Sequence, residues 1–307
     1  MTKLRDLFTA MRQSHLLPVI EAVITALIWS SSFIGVKVVL RYTGPLTTAG
    51  LRYFIAFLLL SPWLWQHWRS SPHRTRGQWS RFTLIGLFQY TIGNGALFFA
   101  LKTLSATTGS LALCLVPIPV LLLGLVRLKE RPRPLQLLAF SITIGGSVLF
   151  FSPNGVEFRD PLALGLLGLA ILSFSAFPVL VREVARSHKV DNVVLTGIPL
   201  GIGGGLLLLL AFIWEGIPRM PFFAWGVLLG LALVNTLFAY LLYNHSLRHL
   251  SVIEANVMLN LTPLGTALIA WGTLGERLLP VQIVAMFLIV VGASLVQRWN
   301  GNYRREK

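Results

Sequence analysis

The chain has 307 residues, of which 55% are hydrophobic and only 12% are charged, against roughly 25% charged in soluble globular domains. A water-soluble fold of this length has nowhere to hide so much apolar surface, and the apolar residues come in blocks of about twenty, enough to cross a hydrocarbon layer of roughly 30 Å. The net charge of +15 does not signal nucleic acid, because the Lys and Arg residues are dispersed between hydrophobic blocks rather than gathered on one polar face.

The first apolar block follows Lys3, Arg5 and Arg12 and runs from about Leu16 to Leu40. It is too long for the apolar core of a secretory signal and shows no small-residue cleavage site, so it reads as a retained span. The spans expected along the chain are 17–40, 45–65, 80–101, 105–127, 134–151, 161–182, 192–214, 221–246, 252–273 and 280–297. Helix-stop and helix-start residues punctuate them: Gly44-Pro45, Ser152-Pro153-Asn154-Gly155, Asp160-Pro161, Gly216 to Pro218, and Pro280. No connection is long enough for a soluble domain, so the expected fold is an all-α integral membrane protein of ten transmembrane helices. Cys114 lies inside an apolar block and, as the single cysteine, can form no intrachain disulfide.

Basic residues are retained on the cytoplasmic side of a membrane. Alternate loops place nineteen on one side (Lys3, Arg5, Arg12, Arg69, Arg74, Arg76, Arg81, Arg127, Lys129, Arg131, Arg133, Arg182, Arg186, Lys189, Arg248, Arg298, Arg304, Arg305 and Lys307) and six on the other (Lys37, Arg41, Lys102, Arg159, Arg219 and Arg277). This bias puts both termini in the cytoplasm of a bacterial-type inner membrane and requires an even number of spans.

A shift of 146 positions superimposes the third-to-fifth spans on the eighth-to-tenth without a gap. Leu104-Ser105 falls on Leu250-Ser251, Pro117 on Pro263, Glu130-Arg131 on Glu276-Arg277, Pro134 on Pro280, Gln136 on Gln282 and Gly146 on Gly292. At a shift of about 144, Ser31 to Phe33 faces Ser175 to Phe177, which matches the first span to the sixth. Two five-span units follow, 17–151 and 161–297, and the odd number makes the second enter the membrane from the opposite side. Inverted repeats of this kind are a hallmark of secondary transporters.

The chain resembles the EamA-type family of the drug/metabolite transporter superfamily. The resemblance rests on Trp29-Ser30-Ser31-Ser32-Phe33, on Leu51-Arg52-Tyr53, and on the paired Glu-Arg segments before Gly-rich final spans, and it covers about 20 to 298. It implies ten helices in two five-helix repeats, cytoplasmic termini, a central cavity and transport of small metabolites, commonly amino acids and often outward. The sixth span departs from the pattern, with Phe174 and Ser175 where a Trp-Ser pair belongs.

Candidate site residues follow from the cost of polar groups in lipid. Asn and Gln there must face other helices or a wet cavity. Trp29, Ser31, Tyr90, Asn94, Tyr240, Asn244 and Asn256 are the candidate cavity wall, with Tyr90 and Asn94 four apart on one helical face and Thr236 and Tyr240 as their repeat partners. Interhelical hydrogen bonding without a ligand is the competing reading. Pro117 and Pro263, each near the middle of a span, are candidate kinks that expose backbone carbonyls. Arg52, about seven residues into the second span, either snorkels to the interface or serves a gate or a substrate anion. Glu130 and Glu276 sit just ahead of helix-starting prolines, where a carboxylate is favoured by the helix dipole, and are also candidates for a gate ion pair. Ser251 and Glu254 have capping-box spacing.

Gly197, Gly201 and Gly205, and Gly226 with Gly230, are small-residue stripes at which helices are expected to approach closely. No metal site is expected at His245, no Gly-rich phosphate loop is present, and no cofactor is expected. None of the eleven acidic residues falls convincingly at the centre of a span; the expectation is passive, gradient-driven movement or coupling through a group that the sequence does not identify. The expected partners are a small solute and membrane lipid, with oligomeric state left open. The rival classes are a membrane-embedded enzyme, for which no cluster of reactive side chains is visible, and a channel, for which an inverted repeat has no natural use.

Overall fold

The computed structural model describes residues 16–69, 75–104, 109, 112–130, 132, 134–152, 160–186, 190–274 and 279–303; Glu276 lies outside the described residues. Among them all regular structure is helical. In chain order the helices are α1 (Leu16–Val39), α2 (Pro45–Arg69), α3 (Arg76–Thr103), α4 (Pro117–Leu128), α5 (Pro134–Phe151), α6 (Pro161–Ala185), α7 (Asn192–Trp214), α8 (Phe222–Ser246), α9 (Val252–Leu259), α10 (Thr262–Leu274) and α11 (Pro280–Tyr303). Hydrocarbon offers backbone N–H and C=O groups no water, so helices that satisfy them internally are the form these apolar blocks take. Six helices, α1, α2, α3, α6, α7 and α8, are long and apolar enough to cross a membrane, and α4, α5 and α11 carry shorter apolar stretches.

Polar residues at the connections supply the caps that open the helices. Thr75 and Gln78 form a capping box at α3, and Ser251 and Glu254 form one at α9. Asp191 caps α7 by accepting from the Val193 N–H at 2.7 Å. Glu215, just past α7, reaches across to the start of α2 and accepts from the N–H groups of Leu46 and Thr47 at 3.0 and 2.8 Å. Asp160 caps α6, accepting from the Ala163 N–H at 3.1 Å and from the Thr103 hydroxyl at 2.9 Å.

The Ala163 bond first, and then the Thr103 bond, hold the Asp160 carboxyl below the usual carboxylate range. A depressed pKa contributes stability that is present above the unfolded-state value and is lost as pH falls through the folded-state value. Asp160→Asn keeps a capping oxygen without the charge and is expected to melt in detergent between the unsubstituted protein and Asp160→Ala at neutral pH. Asp160→Ala is expected to melt earlier, with the gap closing on acidification; a gap that persists in acid would remove the carboxylate from the account.

The two most extensive helix pairs are α2 with α7 and α5 with α11, the second and the last helices of the two repeat units. Glycines bring their backbones together. A Cβ added at Gly50 would stand 2.7 Å from the Leu208 backbone, one at Gly204 would stand 2.8 Å from Tyr53 Cβ, and one at Gly292 would stand 2.8 Å from Ala139 O. The stripe on α7 that meets α2 is Gly197, Gly201 and Gly204, while Gly205 has only loose contact with Phe54, because 3.6 residues per turn carries a strict four-residue spacing off the contact face. Gly226 and Gly230 have no neighbour within 4 Å and face outward, so they make no helix contact.

Polar contacts at the helix ends fix direction. His245 Nδ1 lies 2.7 Å from Glu21 Oε2, so the start of α1 meets the end of α8. Arg182 Nη1 donates to Leu247 O at 2.7 Å, which brings the end of α6 to the same place. The Thr103–Asp160 bond joins the end of α3 to the start of α6 at the opposite end. The leading helices of the two repeat units, α1 and α6, therefore run in opposite directions.

Candidate functional site

Two helices widen where they approach the middle of the bundle. In α3 the segment Gly86–Asn94 is π-helical, and in α8 so is Leu233–Phe238, at the equivalent place in the repeat. A π turn displaces the backbone ladder and is found most often at functional sites. Here side chains stabilise it: Asn94 Nδ2 donates to Gln89 O at 2.7 Å and Thr236 Oγ1 to Leu231 O at 3.0 Å, each reaching five residues back. The bulge in α8 also presents Asn235 O, which accepts from Trp29 Nε1 at 3.0 Å and from Arg52 Nη2 at 3.1 Å.

Two other crossings are broken. Pro117 opens α4 directly after a turn at 114–116, and Pro263 is the second residue of α10 after a turn at Asn260–Leu261. A proline has no N–H to return to the carbonyl four residues earlier, so the helix cannot run straight through. Serines of the opposite repeat unit sit on the carbonyls just before the prolines. Ser30 Oγ of α1 lies 2.9 Å from Thr262 O, and Ser175 Oγ of α6 lies 3.3 Å from Val116 O. The serine of α1 that matches Ser175 is thus Ser30, one position before the Ser31 of the sequence alignment.

Bulges and breaks surround a chamber, a cavity of ≈ 140 Å³. One wall is aromatic. Trp29, Tyr240, Tyr243 and Phe177 pack ring against ring, with centroids 5.2 to 6.0 Å apart, contacts worth about 0.5–1.5 kcal/mol each beyond area burial. The remainder is mostly apolar, aliphatic with Phe33, Tyr53, Phe98 and Phe174, and its polar groups include Arg52, Ser32, Gln89, Asn94, Asn256, Asn260 and Thr262.

Arg52 dominates the electrostatics. It is 3% exposed, and its guanidinium donates to Thr236 Oγ1 at 2.7 Å, Ser32 Oγ at 2.8 Å and Asn235 O. All three acceptors are neutral, and among the described residues no carboxylate pairs with it. A guanidinium carries five N–H groups, so two remain beyond those three bonds. Gln89 Oε1 and Asn260 Nδ2, an acceptor and a donor on lining residues, are buried without hydrogen-bond partners.

Of the residues singled out from sequence, Trp29, Asn94, Tyr240, Asn256, Arg52, Pro117 and Pro263 come together in this lining. Tyr90 stands one layer behind, its ring 5.2 Å from Tyr240 and 5.0 Å from Tyr53. Ser31 does not line the chamber: it is exposed, donates to Ile28 O and accepts from Asn235 Nδ2. Asn244 does not line it either, since its Nδ2 is spent on Thr196 Oγ1 of α7 at 3.0 Å. In both cases the polar side chain bonds to a neighbouring helix, α8 for Ser31 and α7 for Asn244, although Asn244 Oδ1 stays buried without a partner. Glu130 lies apart from the chamber, at the end where α6 finishes; it pairs with Arg182 Nε at 3.2 Å and accepts from Val252 N at the start of α9. Tyr243 was not singled out from the sequence although Asn244 follows it directly, and Phe177 entered only as the end of the Ser175 to Phe177 match.

This geometry defines a polytopic helical membrane protein built from two related halves around a polar-aromatic chamber. Residues 16–152 and 162–298 each match the EamA-like transporter family, and the chain belongs to that family. It is 28% identical over 261 residues to an uncharacterized transporter of Archaeoglobus fulgidus, covering 83% of this chain and 88% of that one. It is 23% identical over 291 residues to the uncharacterized inner membrane transporter YedA of Escherichia coli, covering 93% and 92%. A solved structure titled "Crystal structure of protein" shares the fold, with a TM-score of 0.77 at 20% identity over 96% of this chain and 100% of that one. The chain is accordingly a multi-pass membrane transporter.

Proposed function

We propose that the protein is a secondary carrier that moves a small amphipathic solute bearing an acid group, with amino acids and their relatives as the substrate class, across the inner membrane. The observation that carries this reading is Arg52, a buried guanidinium without a carboxylate partner on the wall of an otherwise apolar and aromatic chamber. Its free N–H groups suit a carboxylate, a match of fork to fork. Gln89 Oε1 and Asn260 Nδ2 offer the acceptor and donor that an amino group and a second acid oxygen require, and the Trp29–Tyr240–Tyr243 wall takes the apolar part.

The carrier works by alternating access through ten crossings, units 17–151 and 161–297 exchanging conformations, with both termini cytoplasmic and export as the direction. The opposed α1 and α6 support that exchange. In this reading the cytoplasmic closure is made by Arg182, which joins Glu130 to Leu247 O, and by Glu130, which in turn accepts from Val252 N at the start of α9. Glu276 is the proposed counterpart of Glu130 on the outer side.

Proteoliposomes that show saturable flux with counterflow for a carboxylate-bearing solute support a carrier; flux that rises linearly with concentration and shows no counterflow rejects it in favour of a channel. Glu130→Gln is expected to weaken the cytoplasmic closure and bias the carrier inward. Impermeant thiol reagents added from the cytoplasmic face should then reach Cys114, a lining residue, several-fold faster. An unchanged rate would reduce Glu130 to a helix cap.

A further inference from the structure

The sequence shows no carboxylate at mid-span, yet folding brings a carboxylate and an imidazole together between α1 and α8. Glu21 lies on α1, two helical turns before Trp29 of the chamber wall, and His245 lies on α8, five residues after Tyr240. His245 Nδ1 is 2.7 Å from Glu21 Oε2 and 2.9 Å from Oε1, with the carboxylate side chain 12% and the imidazole 36% exposed. His249 stands next to it, the two imidazole centroids 5.3 Å apart. The pair sits at the connection between α8 and α9, the same connection that Arg182 holds at Leu247 O.

We propose that Glu21 and His245 form the proton-binding site through which this carrier is coupled to the proton gradient, an inference that rests on the carrier reading above. Nδ1 is engaged by Glu21, so the proton enters and leaves at Nε2 on the more exposed edge of the ring, from water or by way of His249. With the proton bound, an imidazolium–carboxylate pair ties α1 to α8 and keeps the cytoplasmic side closed. With the proton released, a neutral imidazole holds the carboxylate more weakly and α8 is free to leave α1. Histidine is the side chain whose charge changes between about pH 5 and 8, the range across which a bacterial membrane holds its gradient.

The other charged groups around the pair carry bonds of their own. Arg248, at the end of α8, donates to Val190 O at 2.6 Å. From α7, Asp191 caps its own helix and stands 4.0 Å from His67 of α2. From α9, Glu254 closes the capping box with Ser251. From α6, Arg182 is paired with Glu130. Of the groups packed on this end, Glu21 and His245 alone bond α1 directly to α8 through two titratable side chains among the described residues.

Cys114 is the single cysteine of the chain, is 3% exposed and lines the chamber, so it reports access without any substrate. Inside-out vesicles holding the full-length protein are treated with an impermeant maleimide, and Glu21→Gln is compared with the unsubstituted protein at each pH, which cancels the thiol's own ionisation. The labelling-rate ratio is expected to be roughly tenfold at acid pH and to fall toward about one as the pH is raised. His245→Gln should reproduce the Glu21→Gln rates.

A ratio that does not change with pH overturns the proton site and leaves the carrier reading standing. Cys114 that stays unlabelled from both faces in every variant overturns both.

Discussion

Arg52→Gln is expected to abolish uptake of a carboxylate-bearing solute while sparing exchange of its neutral amide. A charge-assisted pair in a desolvated site is worth about 2–5 kcal/mol when one partner is removed, which converts to a loss of roughly thirtyfold to a thousandfold or more in apparent affinity. Glutamine keeps a polar tip within reach of Thr236 and Ser32, so the two bonds that brace α2 against α8 and α1 are partly replaced, and a melting curve close to that of the unsubstituted protein would separate binding from folding. Arg52→Lys is not expected to rescue. An ammonium is a point charge without the planar fork, and it cannot hold Thr236, Ser32 and Asn235 O while still facing a solute. Equal losses for acid and amide, or no loss for either, would reject Arg52 as the anion contact.

The second large effect concerns the scaffold. Gly204→Val places a branched side chain where Tyr53 Cβ and the backbone at Phe54 already stand within 3.0 Å, so α2 and α7 must separate along the most extensive interface of the bundle. The neighbouring atoms are main chain and Cβ rather than the far end of a flexible side chain, which leaves no inexpensive way to yield. Overpacking of this kind costs about 1–3 kcal/mol even where relaxation is possible, and more is expected here. The expected result is loss of the monodisperse peak in detergent gel filtration. Gly226→Ala, on a face with nothing within 4 Å, is the matched control and is expected to behave as the unsubstituted protein. If both variants ran alike, close packing of α2 on α7 would not be what holds the halves together.

Arg52 also shows how far a sequence can be read. That a charge inside an apolar span needs a reason was visible at once, as was its place beside the Trp29 to Phe33 stretch in the resemblance. Which of its two readings holds depends on what surrounds it. Snorkelling requires a path to the interface, and the fold removes that path by turning the guanidinium onto Thr236 and Asn235 of the other repeat unit, more than 180 positions away. Ser31 and Asn244 failed as lining residues for the same reason, because a helical wheel shows which residues share a face but not which neighbour that face meets. The π segments left no mark in the sequence, since the α and π ladders use the same residue types and differ only in which carbonyl each N–H finds. Pro117 and Pro263 could be paired by the repeat, but their serine partners could not, because those bonds cross between the units.

What the amino-acid sequence determined alone is whatever depends on solvent and on chain-local chemistry: apolar blocks that require lipid, caps and prolines that start helices, and a repeat whose register survives in identical polar residues. What the tertiary structure decided is which polar groups are satisfied by protein and which are left for a solute. In hydrocarbon every such group must find a partner, and the partner is most often on a helix far away in the chain. Arg52, Glu21 and His245 therefore took their proposed roles only once α1, α2 and α8 were brought together.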